Sequence, residues 1–395
     1  MEKVQNKSPG LLLDSNVGNS ALLLLCAICF LPVKGFLFFY IYDLFLLALL
    51  ICVAPFIIFH SRRFFLTYEH LVFVALVLWT ISVYVLSPAH KGFYVSWCMY
   101  LMPCILFYVL TQIMMKGAKQ SFTNGILIIG LLISCQLIVS MIVLYFRVGG
   151  AYDLHMNANL YWAKSNYIAA LLEMPLLWLY DRIENKSTRT RIIVVIFSLC
   201  FTALILTVSR GGILTIVLSM LLYNILKGKR LSKTFILLMG FSIIYISFTK
   251  SIIYRFLHMV DQGNISRVYL WLQSIELIAK EPILGYGAGN VILWANLFDT
   301  APKMPGPHNI ILEVMLHIGI GGFLICALLF FMLLRRAFAY YKIEGNPIYL
   351  VLIFASLAHS MVEPTFLGYQ YGFIFWYFMS FLVLESNVLK RRLNE

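Results

Sequence analysis

Three side chains in the second half of the chain have the residue types needed to bind an anion and move a proton. Arg210 ends one apolar run in the sequence SRGG, His308 opens another in PHN, and Arg267 lies in the long segment between them. An arginine guanidinium can donate two parallel hydrogen bonds to phosphate oxygens, and a histidine can accept a proton from a sugar hydroxyl near neutral pH. The three residues therefore predict a site in which the arginines hold a diphosphate leaving group and His308 activates the attacking hydroxyl.

Each of these residues also has a simpler interpretation. Arg210 could reach towards the headgroups and fix the depth of its helix, Arg267 could be a solvated loop arginine, and His308 could cap its helix. Their placement favours a shared site, because all three are predicted on the same side of a membrane, at two helix ends and in the loop that joins them.

Four further residues are candidates for binding the substrate. Arg255 is a basic neighbour of Arg267 in the loop, and Asn309 follows His308 directly. Tyr286 lies in the turn GYGAGN, where its ring could stack on a sugar. Glu313 lies about one turn inside the helix that begins at His308, and a carboxylate at that depth is costly unless paired. An arginine from a neighbouring helix is its candidate partner.

Other polar residues near the membrane fit supporting roles. Asp153, His155 and Lys164 lie in a shorter external loop and could line a groove for the acceptor. Four remaining groups are more typical of packing or pairing than of catalysis: Asp43, Glu173, His359 and Glu363.

Composition predicts that membrane helices position these residues. The 395 residues are 62% hydrophobic, 12% charged and have a mean hydropathy of +0.88, whereas a soluble domain carries about twice that charged fraction. Apolar runs long enough to cross a bilayer recur along the chain. The fold class predicted is therefore all-α, a polytopic helix bundle that forms a single integral membrane domain over residues 1–395.

Twelve apolar segments are predicted to cross the membrane: 18–33, 36–59, 66–86, 92–112, 123–146, 165–181, 192–208, 211–226, 234–249, 308–334, 348–364 and 368–387. Most of the 30 basic residues fall on one side of this arrangement, in clusters such as SRR, KGKR and KRR. That asymmetry follows the positive-inside rule and predicts that both termini are cytoplasmic, with anionic lipid rather than nucleic acid as the partner of the net charge of +13. Residues 250–307 form a large external loop between spans 9 and 10, with a surface helix over Ser266–Lys280.

No metal-ligand spacing is present in the sequence. The eight cysteines fall inside apolar segments without a CxxC pair, which is typical of small apolar packing residues. His308 and Glu313 do not form an HExxH motif. We therefore expect no metal in the site.

The spacing of these residues resembles the motifs of bacterial O-antigen ligases. The segment Arg210–Leu214 is similar to their R-x-x-x-L motif. His308-Asn309, followed after nine residues by Gly319, Ile320, Gly321 and Gly322, is similar to their H-N and G-x-x-G pair. The stretch RVYLWLQSIELIAKEPILGYGAG from Arg267 resembles the arginine-to-GxG part of their large external loop. O-antigen and exopolysaccharide polymerases and some protein O-oligosaccharyltransferases share this plan. The likeness covers residues 190–330 by motif.

The resemblance implies an inverting glycosyltransferase of the bacterial inner membrane with a periplasmic active site. Its donor would be a glycan on undecaprenyl pyrophosphate, bound by Arg210 and Arg267. His308 would position or deprotonate the acceptor hydroxyl, without metal, nucleotide or other cofactor.

Three functions remain open at this point. We favour O-antigen ligation to lipid A–core, a step of lipopolysaccharide biosynthesis. A polymerase that joins lipid-linked repeat units fits nearly as well. A transporter or flippase of the lipid-linked glycan fits less well, because related halves and charges near the bilayer midplane would be expected for it.

Overall fold

The structure is a computed structural model, and it describes residues 66–86, 100, 103–104, 107–108, 111, 119–147, 160, 164–185, 190–228, 236, 240, 263–287, 306–365 and 369–394. The helices in these ranges are α1 (Tyr68–Leu86), α2 (Lys119–Arg147), α3 (Ser165–Glu184), α4 (Thr190–Leu206), α5 (Arg210–Leu226), α6 (Gly263–Lys280), α7 (Ile310–Glu344), α8 (Ile348–Ser360) and α9 (Tyr369–Asn394). The described part of the chain is all-helical, as its composition predicts.

The number of membrane spans is confirmed only in part. Three helical stretches are long and apolar enough to cross a membrane: Tyr68–Leu86, Leu127–Arg147 and Ile310–Glu344. Shorter apolar helices cover Arg191–Leu206, Arg210–Leu226 and Ile348–Ser360. The spans predicted at 18–33 and 36–59 lie outside the described residues, and those at 92–112 and 234–249 are described at a few positions only. The expected count of about twelve is therefore not confirmed.

Helix α3 forms the centre of the bundle. Every residue from 168 to 181 is buried, and the helix packs against α2, α4, α5, α8 and α9. Small residues allow these neighbours to come close, as is usual between membrane helices. At the crossing with α5, a Cβ added to Gly212 would lie 2.6 Å from Cβ of Ala169, so the two backbones touch where α5 begins.

Polar contacts define two ends of the bundle. We call one the His308 end, because Asn166, Ser209, His308 and Glu363 meet there. At the opposite end the Tyr223 hydroxyl donates to Asp181 at 2.8 Å, and the Tyr341 hydroxyl donates to the carbonyl of Leu226. Helices α3, α5 and α7 therefore all begin at the His308 end, and α8 finishes there.

Helix α7 is longer than predicted and is broken near its start. It continues through the basic stretch RRAFAYYK to Glu344 instead of stopping at 334. There, Arg336 forms an ion pair with Glu69 of α1 and also donates to Ser386 and Asn387 of α9. Its guanidinium therefore ties three helices together near the opposite end.

The break in α7 receives a segment of the large loop. Ile318 and Gly319 leave the helical conformation, with Gly319 at φ 67°. Residues 282–287 fill the gap: Tyr286 N–H donates to Leu316 O at 2.7 Å, Gly287 N–H to His317 O at 2.9 Å, and Ile320 N–H donates to Pro282 O at 2.8 Å. The loop backbone thus forms hydrogen bonds with backbone amide and carbonyl groups that have no partner within α7 at the break.

Close approach explains glycines on both sides of this contact. A Cβ on Gly319 would collide with the carbonyl oxygen of Ile283, and one on Gly285 would lie 2.6 Å from Leu316 O. Both glycines also have φ near +66°, a region that other residues rarely occupy. The glycines of the loop and those of α7 are therefore two halves of one joint.

Candidate active site

His308 lies in the turn that leads into α7. Its φ is 52°, and its backbone amide hydrogen-bonds the carboxyl of Glu313. Nδ1 of its ring lies 3.3 Å from Oε1 of Glu363, within ion-pair distance although not aligned as a hydrogen bond. The side chains are 23% and 27% exposed, so the pair is shielded yet reachable from outside the bundle.

Asn309 caps the helix that follows. Its Oδ1 accepts from the amides of Ile311 at 3.0 Å and Leu312 at 3.3 Å, which is the usual N-cap arrangement. Its Nδ2 donates to Met361 O at 3.4 Å, in the turn that follows α8. Asn309 therefore holds the start of α7 against the turn that carries Glu363, and this geometry gives it a positioning role in the fold.

Glu363 joins His308 to the start of α5. The amide of Asn166, in the first turn of α3, donates to Glu363 Oε2 at 3.4 Å. The hydroxyl of Ser209 donates to Asn166 Oδ1 at 3.0 Å. Since Ser209 is also the N-cap of α5 and accepts from Gly212 N–H at 3.3 Å, the network reaches the residue that precedes Arg210.

Arg210 is the first residue of α5 and lies at the same end of the bundle. A Cβ built on the next residue, Gly211, would be 3.1 Å from Val362, which adjoins Glu363 in the turn after α8. The backbone of Arg210 is thus placed beside that turn, and Arg210 opens α5 instead of ending the preceding apolar run as predicted.

Arg267 approaches from α6, the surface helix of the large loop. Its charge acts on the carboxyl of Glu363. One turn further along, Trp271 Nε1 donates to Pro307 O at 2.9 Å, directly before His308. The helix observed, Gly263–Lys280, begins slightly before the predicted Ser266, so Arg267 lies in its second turn.

The electrostatics of Glu363 keep it ionised. Burial by itself raises the pKa of this carboxyl, but the nearby His308, the Asn166 amide and the Arg267 charge outweigh burial and hold the pKa below its ordinary value of 4.5. The site therefore combines the Glu363 carboxylate, the ring of His308 and the charge of Arg267, drawn from separate elements.

The other predicted binding residues have different surroundings. Glu313 is buried beside Gly306, and His317 Nε2 lies 3.4 Å from its carboxyl. In the described part of the chain, the neighbours of the Glu313 carboxyl are His317 and the backbone amide of His308, and its pairing with an arginine stays a prediction. The Tyr286 hydroxyl donates to Leu277 O at 2.9 Å, so this residue forms part of the joint between loop and α7.

The remaining predicted residues fall into two groups. Arg255, Asp153, His155 and Asp43 lie outside the described residues. Lys164 is exposed and precedes α3 at the His308 end. Glu173 and His359 form a buried ion pair between α3 and α8, which confirms their interpretation as pairing groups.

Sequence reasoning underrated Glu363 and did not select Asn166 or Ser209. Glu363 is predicted as a packing or pairing group with no partner named, and the structure gives it three neighbours, His308, Asn166 and Arg267. One signal was available: the turn at Glu363-Pro364 joins the last two predicted spans on the same side as His308. Because its partners come from distant parts of the chain, spacing alone does not reveal them.

In the part of the chain that the structure describes, the fold is a bundle of apolar helices, and the His308–Glu363 pair lies at one end of it, with Arg267 acting on Glu363 and Arg210 opening α5 at the same end. Residues 195–327, about a third of the chain, match the family model described as O-antigen ligase. The resemblance to O-antigen ligases is thereby confirmed over this segment. No curated protein matches the chain. The matched region contains Arg210, Arg267 and His308, whereas Asn166 and Glu363 lie outside it.

Proposed function

We propose that this protein is an inner-membrane glycosyltransferase that moves a glycan from undecaprenyl pyrophosphate to an acceptor hydroxyl on the periplasmic face. The favoured acceptor is the outer sugar of lipid A–core, which makes the reaction O-antigen ligation. The observation that carries the proposal is the meeting of three segments around Glu363: His308 at 3.3 Å, the Ser209–Asn166 link to the start of α5, and the charge of Arg267.

In the proposed reaction, Arg210 and Arg267 bind the pyrophosphate and stabilise the charge that it gains on leaving. The acceptor oxygen forms a bond to the anomeric carbon, and the bond from that carbon to the pyrophosphate oxygen breaks. The electron pair of the broken bond remains with the pyrophosphate, and the proton of the acceptor hydroxyl passes to the imidazole of His308. Attack from the face opposite the leaving group inverts the anomeric centre.

The role of the remaining candidates follows from this scheme. Asn309 sets the entry of α7 and so the position of His308. Tyr286 and Glu313 support the loop and the His308 turn from inside the bundle. Arg255 stays a candidate for a further contact with the pyrophosphate or the glycan.

The direct test is product formation by purified protein in detergent with no ion gradient. The protein receives undecaprenyl-pyrophosphate-linked glycan with or without lipid A–core, and products are separated by gel. Glycan on lipid A–core supports ligation. Longer glycans made from the lipid-linked donor alone support the polymerase instead. If no product forms with any acceptor, gradient-dependent movement of the donor by protein reconstituted into liposomes supports the transporter.

Matched substitutions locate the chemistry. Arg210→Ala, Arg267→Ala and His308→Ala are each expected to reduce transfer by about 10²-fold or more. Arg335→Ala is the control, because Arg335 is exposed on α7 away from the His308 end. Full activity of His308→Ala would exclude proton transfer to the imidazole.

A further inference from the structure

We propose that Glu363 is a positioning residue for His308, holding Nδ1 of the imidazole so that Nε2 is left as the proton acceptor. This inference rests on the proposed function of His308. It concerns a residue outside the segment that matches the O-antigen ligase family, on the turn between α8 and α9.

The contact itself sets the roles of the two ring nitrogens. Nδ1 of His308 faces Oε1 of Glu363 at 3.3 Å. A neutral imidazole carries one N–H and one lone pair, and a carboxylate beside Nδ1 favours the proton on that nitrogen. Nε2 then keeps the lone pair and can accept the proton of a hydroxyl.

Glu363 is itself held from the opposite side. Its Oε2 accepts from Asn166 Nδ2 at 3.4 Å, and Asn166 Oδ1 accepts from the Ser209 hydroxyl at 3.0 Å. The backbone amide of Glu363 donates to His359 O at 3.0 Å, which fixes the turn on the end of α8. A carboxylate held through Oε2 and through its backbone leaves Oε1 facing the ring of His308 and is well suited to orient it.

The turn does not depend on the His308–Glu363 contact for its structure. Asn309 already bonds Met361 O, and α8 packs along α3, α5 and α7. A partly exposed ion pair contributes little to stability. Removing the charge of Glu363 should therefore disturb the ring of His308 more than it disturbs the fold.

The neighbouring charges agree with this role. Arg267 acts on Glu363 from α6, and Glu313 receives the backbone amide of His308 from inside α7. Because Asn166 bonds Glu363 and also Ser209, which precedes Arg210, one network connects the proton acceptor with the start of the helix that supplies a pyrophosphate ligand. A shift of α5 would therefore move Ser209 and, through Asn166 and Glu363, the ring of His308.

The kinetic test compares Glu363→Gln, which keeps the shape but removes the charge, with Glu363→Asp, which keeps the charge. The Gln variant is expected to lower kcat by about 10²-fold, with the donor KM and the melting temperature close to those of the wild type. The Asp variant should recover part of kcat. Glu276→Gln serves as control, because Glu276 is an exposed carboxylate on α6 that pairs only with Lys280 in the described structure.

A second measurement does not depend on activity. Nitrogen NMR of protein labelled in histidine reports which ring nitrogen carries the proton, and the His308 signals are assigned by their loss in His308→Asn. Glu363→Leu removes the carboxylate beside Nδ1, so the proton should redistribute towards Nε2.

The two measurements separate the possible failures. An unchanged His308 tautomer in Glu363→Leu, or a kcat of Glu363→Gln within about threefold of the wild type, would overturn the positioning role even if transfer is observed. Equal changes in kcat, KM and melting temperature would make Glu363 a structural residue and also overturn it. A shifted tautomer in a protein that forms no product would support the positioning role while refuting the proposed function.

Discussion

Replacing Gly319 with alanine tests whether the joint between the loop and α7 positions the site. Gly319 has φ 67°, and an added Cβ would meet the carbonyl of Ile283. The substitution therefore strains the backbone and also pushes the loop away from α7. Gly345, at the end of α7, has φ 62° with nothing within 4 Å of an added Cβ, so Gly345→Ala is a matched control for backbone strain alone.

The expected magnitude follows from the contacts that would be lost. The left-handed conformation costs an alanine about 1 kcal/mol in both variants. Displacing residues 282–287 also breaks three backbone hydrogen bonds, from Tyr286, Gly287 and Ile320, each contributing about 1 kcal/mol. Gly319→Ala should therefore be destabilised by about 3 kcal/mol more than Gly345→Ala.

Hydrogen exchange followed by mass spectrometry measures this difference where it arises. The amides of Tyr286 and Gly287 should exchange about 10²-fold faster in Gly319→Ala and at the wild-type rate in Gly345→Ala. Transfer activity should fall as well, because α6 and Arg267 lose their anchor on α7. Equal protection of these amides in both variants, with equal melting temperatures, would refute the view that the joint fixes the loop.

Three further outcomes follow from the described contacts. Arg210→Lys should lower the transfer rate by at least about tenfold, because an ammonium cannot donate the paired hydrogen bonds of a guanidinium. Wild-type activity of this variant would argue against bidentate binding of the phosphate by Arg210. Since the folded-state pKa of Glu363 lies below 4.5, its stabilising effect is complete above that pH and is lost as the pH falls through the lower folded value. Melting curves of Glu363→Gln should therefore decline less steeply in acid than those of the wild type, and parallel curves would contradict this. Glu69→Leu should cost about 3 kcal/mol by leaving Arg336 without its counter-charge, and adding Arg336→Met to Glu69→Leu should restore part of that loss, as measured by thermal unfolding.

Hydropathy predicted the helices well where a segment is apolar throughout. The predicted span 211–226 corresponds to Arg210–Leu226, and 123–146 corresponds to Lys119–Arg147. It failed where a helix continues beyond its apolar part. The span predicted for α7 ended before Arg335 and Arg336, but the helix continues through both. Arg336 is tolerated within it because its guanidinium pairs with Glu69 on α1.

The break in α7 could not be read from periodicity. Residues 310–344 carry helical spacing on both sides of Gly319, and the break exists because Pro282–Gly287 of the loop supplies its hydrogen bonds. Both glycine motifs were visible in the sequence, as parts of a family resemblance, but their contact with each other was not. A contact between distant segments requires the fold to be known first.

The sequence marks candidate residues at the ends of helices but not the contacts between distant segments. Arg210 is a candidate because an arginine near hydrocarbon depth is costly without a partner, and His308 is one because a histidine at a helix start can accept a proton from a hydroxyl. The signal for Glu363 is weaker: its turn is predicted on the same side as His308, but a glutamate before a proline in a turn is ordinary. Glu363 contacts Asn166 on one side and His308 on the other. Both partners are far from Glu363 in the sequence, so no helical periodicity links them to it.

Backbone strain at the same two helix mouths gives an independent reason to regard them as functional. Among the described residues, the non-glycine positions with positive φ are Val208 at 53° and His308 at 52°. The left-handed region costs such residues about 1 kcal/mol or more, and most of all a β-branched valine. Val208 lies just before Ser209 and Arg210, and His308 lies just before the cap Asn309.

Both strained positions are fixed by surrounding contacts. Val208 is buried and its amide donates to Ile205 O at 3.0 Å, while Ser209 N–H donates to the Thr207 hydroxyl at 3.2 Å. His308 is fixed by Glu313 and Glu363. A glycine would relieve the strain at either position, but a glycine at 308 would remove the imidazole. The bundle therefore holds Val208 and His308 in backbone conformations that these residue types disfavour. This is expected if the structure at the starts of α5 and α7 is determined by the relative placement of Arg210 and His308 and not by local stability.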